Sequence, residues 1–502
     1  MNRSLNNLTD SLRQQAQRKP GATAFTYLLN GEDAEVSFTY AELDRQARTL
    51  AAWLTAEGLA GERVLLLYVP GLEFITALYG CLYAGVIAVP AYPPDPSRLA
   101  RTLPRLQAIV NDAQPALVMT TSSLLMMATA VFAQAPYLAE RRWVASDDLV
   151  AGPAADWVPS TLGGETIAFI QYTSGSTAVP KGVVVSHGNA LANLYMMRER
   201  SPFDADTCSV LWLPFYHDFG LILGILMLPF LGGRSVLMSP LDFLKQPSRW
   251  LRAIHTYRAT VTASPNFALD LCARKVTPAE RATLDLSSLQ VAVIGAEPLH
   301  HETLQRFMRT FAPCGFNSRA LVQAYGLAEA VLGASYGSLD RDYTARWFRT
   351  EALATGTVEP CAQDAEGAQV LVSSGWPIPD QRVEIVDPDT GTRCPPERVG
   401  EIWLAGPNIA RGYWSLPAES AATFAASLSD TGEGPFLRTG DLGFFHDGEL
   451  FVTGRRKDLI IIHGRNLYPQ DIELTVERCH PMLRPSCVAA FSLASDDGEA
   501  LV

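Results

Sequence analysis

The sequence predicts an α/β protein. A large N-terminal domain of layered α/β subdomains is expected over 1–456, with a β-rich subdomain at about 370–456, and a small α+β domain begins at 457–502. Three observations carry this. Strand-like and helix-like runs alternate through most of the chain, the pattern that layers helices on sheets. From Val370 the texture changes to short strands separated by turn signals. At 502 residues the chain also exceeds one ordinary core of roughly 100–200 residues.

In order along the chain, MNRSLNNLTDSLRQQAQRKPG reads as a capped amphipathic helix with Asp10 near its start, and it lacks the apolar centre of a signal peptide. VLLLYV from Val64 is a strand, EFITALYGCLYAG a helix, VIAVPAY a strand and RLARTLPRLQAIVNDA a periodic helix. The strand, turn, helix rhythm returns in VAVIGAEPLHHETLQRFM (291–308) and ALVQAYGLAEAVLG (320–333). Each turn is expected at one sheet edge, where open α/β sheets bind ligands. Residues 340–360 read as polar and irregular. VEIVDPDTG, EIWLAG and GELFVTG are the short strands of the β-rich region. LIIIHG, a helix-like YPQDIELTVERC and a strand-like CVAAFSLAS follow, and the final EALV reads as the first half of a return strand. A strand cut there leaves backbone groups unpaired, so the chain is expected to be a fragment of a longer one.

Hydrophobic residues at 48% and charged residues at 18% are the proportions of a globular protein. The net charge of −12 argues against nucleic acid as a partner, because phosphate neutralisation needs a surplus of Lys and Arg on one face. Eight cysteines without CxxC or Cys/His spacing disfavour a zinc site or a disulfide scaffold and fit a reducing, cytoplasmic setting. The longest apolar run, FGLILGILMLPFLGG, contains Pro229 and is shorter than the ~20 residues that span a bilayer, so no integral membrane segment is expected.

The most informative stretch is IAFIQYTSGSTAVPKGVVVSHG (167–188). Thr173, Ser174, Ser176 and Thr177 supply hydroxyls, Gly175 allows close backbone approach, and Lys181 supplies charge. Lys181 is one of only five lysines among 40 Lys and Arg, and Lys457 is the other that falls in a glycine-bearing turn. The order is not that of a Walker loop, since Gly182 and a strand follow the lysine. A triphosphate wrapped by a hairpin loop fits; so does a plain polar hairpin turn.

YTSGSTAVPKG, GAEP (295–298), YGLAE (325–329), RTGD (438–441) and GRRKDLIIIHGRNLYPQDIE (454–473) together resemble the adenylate-forming superfamily, in order and spacing, over essentially the whole chain. VPAYPPDP (89–96), LPFYHDFGLI (213–222) and SPNFALDLC (264–272) are similar to its fatty acyl-AMP ligase branch. The resemblance implies that ATP and a fatty acid form an acyl adenylate and pyrophosphate, and that the acyl group then passes to the phosphopantetheine arm of an acyl carrier protein, in lipid or polyketide biosynthesis.

Carried over residue by residue, the resemblance puts Thr173 to Thr177 and Lys181 on the triphosphate and Glu329 on Mg2+. A hard divalent cation needs only one or two carboxylates beside substrate phosphates; alternatively Glu329 is a helix N-terminal carboxylate. Tyr325 and Gly326 would sit at the adenine of ATP or AMP, lined by Gly295, Ala296 and Glu297, although Tyr325 also suits a core. Ala328 stands where many members carry Thr. Asp441 would accept from the ribose hydroxyls, with Arg455 adding a donor. Lys457 matches the hinge before the rotating small domain, or is a solvated turn lysine. His217, beside Asp218, would gate the substrate carboxylate; positioning is favoured over acid/base work, because an ionised carboxylate has no proton to remove. Asn266, Phe267, Ala268 and Leu269, with the 221–228 face, are expected either to line an acyl tunnel or to be plain core. In this branch 340–360 corresponds to an insertion.

The superfamily's adenylation lysine lies beyond Lys457, and no lysine follows Lys457 here. Binding of ATP and acyl adenylate with much reduced adenylation is therefore expected. An acyl-CoA synthetase and a non-catalytic acyl-adenylate-binding module are the competing readings; an amino-acid adenylating domain fits less well, lacking the pocket Asp.

Overall fold

The structure is a computed structural model and describes residues 5–94, 98–131, 135–150, 157–173, 180–462, 465–480, 482–483, 487–495 and 498–502. Its first helix, Leu8–Arg18, is capped by the Asn7 side chain, which accepts from the Asp10 amide, as the polar–apolar pattern predicts.

The alternating runs assemble into two large sheets. A six-stranded sheet contains Arg63–Leu67, Ile87–Ala91 and Leu117–Thr120 in parallel, and ends in the antiparallel hairpin Ile167–Tyr172 and Gly182–Ser186. A nine-stranded sheet has a parallel centre in which Cys208–Leu211, Val261–Ser264, Val291–Ile294 and Leu321–Gly326 lie side by side. The first three of these are continuous runs of buried residues, as expected of strands covered on both faces, and Leu321–Gly326 is buried over its first half. Helix Leu72–Ala84 is buried along its whole length between layers.

The apolar run after His217 folds as a π-helix, Phe219–Leu226, continued by Met227–Leu231. π-turns concentrate at functional sites, and this one begins beside His217. Gly220 is required there, since a Cβ would lie 2.2 Å from the Pro214 carbonyl oxygen. Among the described residues no helix is long and apolar enough to cross a membrane.

The β-rich region is an antiparallel four-stranded sheet, Arg382–Val386, Gly400–Ala405, Leu437–His446 and Glu449–Arg455. Beyond it come a short hairpin of Ile460–Ile462 with Arg465–Leu467, helix Pro469–Cys479, and Ser492–Ser495 paired antiparallel with Gly498–Leu501.

Two elements differ from the sequence reading. No helix follows YGLAE: Ala328–Ala330 is a single 3-10 turn, and the chain returns as strand Gly333–Tyr336 against Leu321–Gly326. The reversal forms because Gly326 lets the strand end pack on Leu332, where a Cβ would be 1.8 Å from the Leu332 oxygen. The stretch 340–360 is also ordered, with strand Ala345–Arg349 and helix Thr350–Ala354, because Phe348 is fully buried against Phe444 and Phe451.

Candidate active site

The carboxyl ends of the central strands, the hairpin of the six-stranded sheet and the last hairpin of the β-rich sheet meet around one cavity of about 660 Å³. Ligands of open α/β sheets bind at such strand ends. Thr173 and Lys181 come from the hairpin, Gly295 and Ala296 from the turn after Val291–Ile294, and Tyr325, Gly326, Ala328 and Glu329 from the end of Leu321–Gly326 and its turn. His217, Asp218, Arg455 and Lys457 complete the set of sequence-singled residues that line it. Ser174, Gly175, Ser176 and Thr177 lie outside the described residues. Their two flanks are joined by the Thr173 amide donating to the Lys181 carbonyl at 3.0 Å.

Glu329 is held on three sides. Its carboxylate Oε1 accepts from the Tyr413 hydroxyl at 2.8 Å, and its backbone carbonyl accepts from the Ala410 amide at 2.9 Å. The turn behind it is closed by the Leu332 amide donating to the Ala330 carbonyl across Val331, whose φ of 67° and ψ of −55° place a β-branched residue in a strained γ-turn. Burial pushes the Glu329 carboxyl pKa up, with Asp218 and Asp441 pushing the same way and the Tyr413 hydroxyl pulling it down.

Tyr413 also carries the Lys181 ammonium over its ring, 4.8 Å from the centroid. It is fixed because residues 411–414 pair with the hairpin strand: the Arg411 amide donates to Val184 O, the Val184 amide to Gly412 O and the Trp414 amide to Gly182 O. One tyrosine thus couples the hairpin lysine to the carboxylate of the other sheet.

Asp441 is 6% exposed and is not itself among the lining residues. It pairs across the hairpin with Arg455, whose Nε lies 3.2 Å from Oδ1, and its Oδ2 accepts from the Tyr325 hydroxyl at 2.7 Å. Burial raises its pKa, and Arg455 and Tyr325 oppose that. Gly440 and Thr439 before it do line the cavity.

His217 Nδ1 lies 2.6 Å from Asp218 Oδ1. Burial and Arg105 work against the imidazolium, but Asp218 outweighs them and the pKa is raised from 6.5.

Glu297, Asn266, Phe267 and Ala268 do not line the cavity. The Glu297 carboxylate accepts from the Phe267 amide at the start of helix Asn266–Lys275, Asn266 Oδ1 accepts from the His300 amide at 3.2 Å, and Ala268 is fully buried. These residues build the wall behind the Gly295–Ala296 turn.

The cavity lining also includes the apolar or aromatic side chains of Met197, Phe203, Leu223, Leu332, Tyr336 and Ile378. Of the 221–228 face only Leu223 reaches it, and the remaining residues pack in the core.

Sequence reasoning missed Tyr413 and Arg105. Tyr413 sits in ARGYW (410–414), whose glycine signals a turn but not a partner. Arg105 lies on the helix Leu99–Ala113, where it reads as a solvated position; it lines the cavity and donates to the Thr173 carbonyl at 2.7 Å.

Residues 12–414 match the AMP-binding enzyme family. The chain is 44% identical to a medium-chain-fatty-acid–[acyl-carrier-protein] ligase, JamA, of Moorena producens, over 99% of this chain and 84% of that protein. It is 38% identical to a long-chain-fatty-acid–AMP ligase, FadD23, of Mycobacterium tuberculosis, over 98% of this chain and 85% of that one. A fatty acyl-adenylate ligase from L. pneumophila, solved with acyl adenylate and pyrophosphate, superposes with a TM-score of 0.84 at 39% identity, covering 99% of this chain and 86% of that chain. The chain belongs to the AMP-binding enzyme family, in its fatty acyl-AMP ligase branch.

Proposed function

We propose that the protein joins a fatty acid to ATP and delivers the product to a carrier protein. The fatty carboxylate attacks the α-phosphorus of ATP, the bond to the β-phosphate breaks, and acyl adenylate and pyrophosphate result. The phosphopantetheine thiolate of an acyl carrier protein then attacks the acyl carbonyl, and AMP leaves. The observation that carries this reading is one cavity lined both by Lys181, Glu329 and His217 and by apolar side chains such as Met197, Phe203, Leu223 and Ile378.

In this reading Lys181 and the Thr173–Thr177 loop hold the phosphates, Tyr325, Gly326, Gly295 and Ala296 enclose the adenine, and Asp441, steadied by Arg455, receives the ribose hydroxyls. His217 aims the carboxylate. Mg2+ would be held by Glu329 beside the ATP phosphates, where it would offset their charge. Glu329 fits it: a buried carboxylate with Asp218 and Asp441 adding negative charge is stabilised by a divalent cation. Among the described residues no group of three His, Cys, Asp or Glu is placed to hold a metal by itself, which suits a cation shared with phosphates.

In this reading residues 1–456 are the large domain and 457–502 belong to the small one, with Lys457 at the hinge. Lys457 sits in the short turn Arg456–Asp458 between the β-rich sheet and the Ile460–Ile462 hairpin.

The test is ATP–pyrophosphate exchange over a panel of fatty acids, followed by acyl transfer to loaded carrier protein or to free coenzyme A. Exchange with transfer to the carrier supports the reading. Efficient release of acyl-CoA overturns the carrier assignment, and no exchange with any fatty acid overturns the activity.

A further inference from the structure

Two hollows back onto one another along the strands of the nine-stranded sheet. Gln290 and Ala320, just before strands Val291–Ile294 and Leu321–Gly326, line a surface groove, whereas Val293, Ala324 and the turns after them line the cavity. At about 3.3 Å per residue, three or four residues of strand put roughly 10–13 Å between the two. Elsewhere the wall is one residue thick. Pro202 lines the groove and Phe203 the cavity; Tyr336 lines the cavity and Gly337 the groove.

The Tyr336 ring fills this wall. Tyr336 is paired directly opposite Ala324, two residues in from Gly326 and the turn that carries Glu329, and opposite residues of an antiparallel pair share a face of the sheet. Its hydroxyl meets the side chain of Ser201, which belongs to the groove lining. Phe203 follows two residues after Ser201, and both aromatic side chains are buried, Tyr336 at 6% and Phe203 at 7% exposed. The segment between helix His187–Glu199 and Phe203 is tied down by Arg200, which donates to the Pro377 carbonyl at 3.2 Å.

Each methylene that stays within an apolar lining improves binding about fourfold. One that must displace a buried aromatic ring meets an already filled core, where extra volume is unfavourable. Past the wall the groove offers Arg200, Arg319, Asp340 and Arg341 instead of hydrocarbon.

We propose that Tyr336 and Phe203 are the stop that sets the longest fatty acid the protein activates, by separating the cavity from the groove at the amino ends of the strands. This rests on the fatty-acid activation proposed above.

The experiment is pyrophosphate exchange over saturated acids that differ by two carbons, in the parent, Tyr336→Leu and Phe203→Ala. In the parent kcat/KM climbs with length and then drops at least about tenfold over one two-carbon step. In each variant the drop moves at least one step further out, so that kcat/KM for the first acid the parent rejects rises about tenfold or more, two methylenes at about fourfold each. Tyr336→Phe, which keeps the ring, leaves the drop in place. The position of the drop is the readout, because a merely structural change scales every length alike; either cavity-opening variant suffices should the other fail to fold. A drop that stays at the same length in both variants, a loss equal at all lengths, or a parent without a drop overturns the inference. Absence of exchange with every acid in the parent strikes the underlying activity instead, and is thereby distinguished.

Discussion

Tyr413→Phe removes one oxygen from the hinge between Lys181 and Glu329. That oxygen donates to the Glu329 carboxylate at 2.8 Å in a site where burial already disfavours the charge. A hydrogen bond to a charged group is worth about 1.5–3 kcal/mol, and every 1.4 kcal/mol is tenfold, so exchange activity falls by roughly 10- to 100-fold. The pH dependence identifies the cause. Tyr413 pulls the Glu329 pKa down, so its loss lets burial, Asp218 and Asp441 raise it further. Activity requiring ionised Glu329 rises with pH through that pKa, and the acid limb moves to higher pH in the variant. Tyr413→Leu, which also removes the ring beneath the Lys181 ammonium, adds a rise in KM for ATP. The assay is pyrophosphate exchange against pH and magnesium concentration. An acid limb that stays in place, with unchanged magnesium dependence, refutes the claim that Tyr413 sets the state of Glu329.

Lys181→Ala removes the hairpin cation and raises KM for ATP at least about tenfold in steady-state kinetics while leaving fluorescence-detected fatty-acid binding in place. Asp471, which accepts from Gln369 at 2.8 Å, has its pKa raised by burial from 3.8 to about 6; its contribution is fully present below the unfolded value and lost as pH rises through about 6, at most about 3 kcal/mol. The opening free energy of helix Pro469–Cys479, read from hydrogen exchange after division by the intrinsic rate at each pH, therefore falls between about pH 4 and 6 in the parent and stays flat in Asp471→Asn. Val331→Gly relieves γ-turn strain of about 1–3 kcal/mol but loses a buried side chain worth a similar amount, so the thermal midpoint moves by only a few degrees while kcat drops as Glu329 loses its support.

The layered α/β plan was legible because it rests on local pattern. The runs at 64–69 and 87–92 are apolar, short and bounded by turn residues, and they become parallel strands flanking a buried helix. The turn after Tyr325 was not legible. AEAVLG has helical propensity, and what stops the helix is tertiary: Leu332 folds back on Gly326 and its amide caps Ala330 across Val331. The same holds for 340–360, where one phenylalanine, Phe348, decides the matter by packing edge-on against the stacked pair Phe444 and Phe451, about a hundred residues away in sequence.

The site divides along the same line. Lys181, Glu329 and Gly295, which line the cavity, stood out in the sequence because each sits in a loop or turn adjoining a strand end, and strand ends of α/β sheets converge on one rim. Tyr413 and Arg105 did not. Neither belongs to a strand-end turn: one is delivered by a backbone segment laid along Gly182–Ser186, the other by a helix of the six-stranded layer reaching over to the Thr173 carbonyl. Their importance comes from which layers touch, and that is fixed by long-range packing. Asn266, Phe267 and Ala268 show the converse. The resemblance put them forward as tunnel lining or plain core; none lines the cavity, and the Glu297 carboxylate accepts from the Phe267 amide at the head of their helix. The slot itself is made by residues such as Met197 and Tyr336, from a helix and a strand that no single stretch of sequence connects.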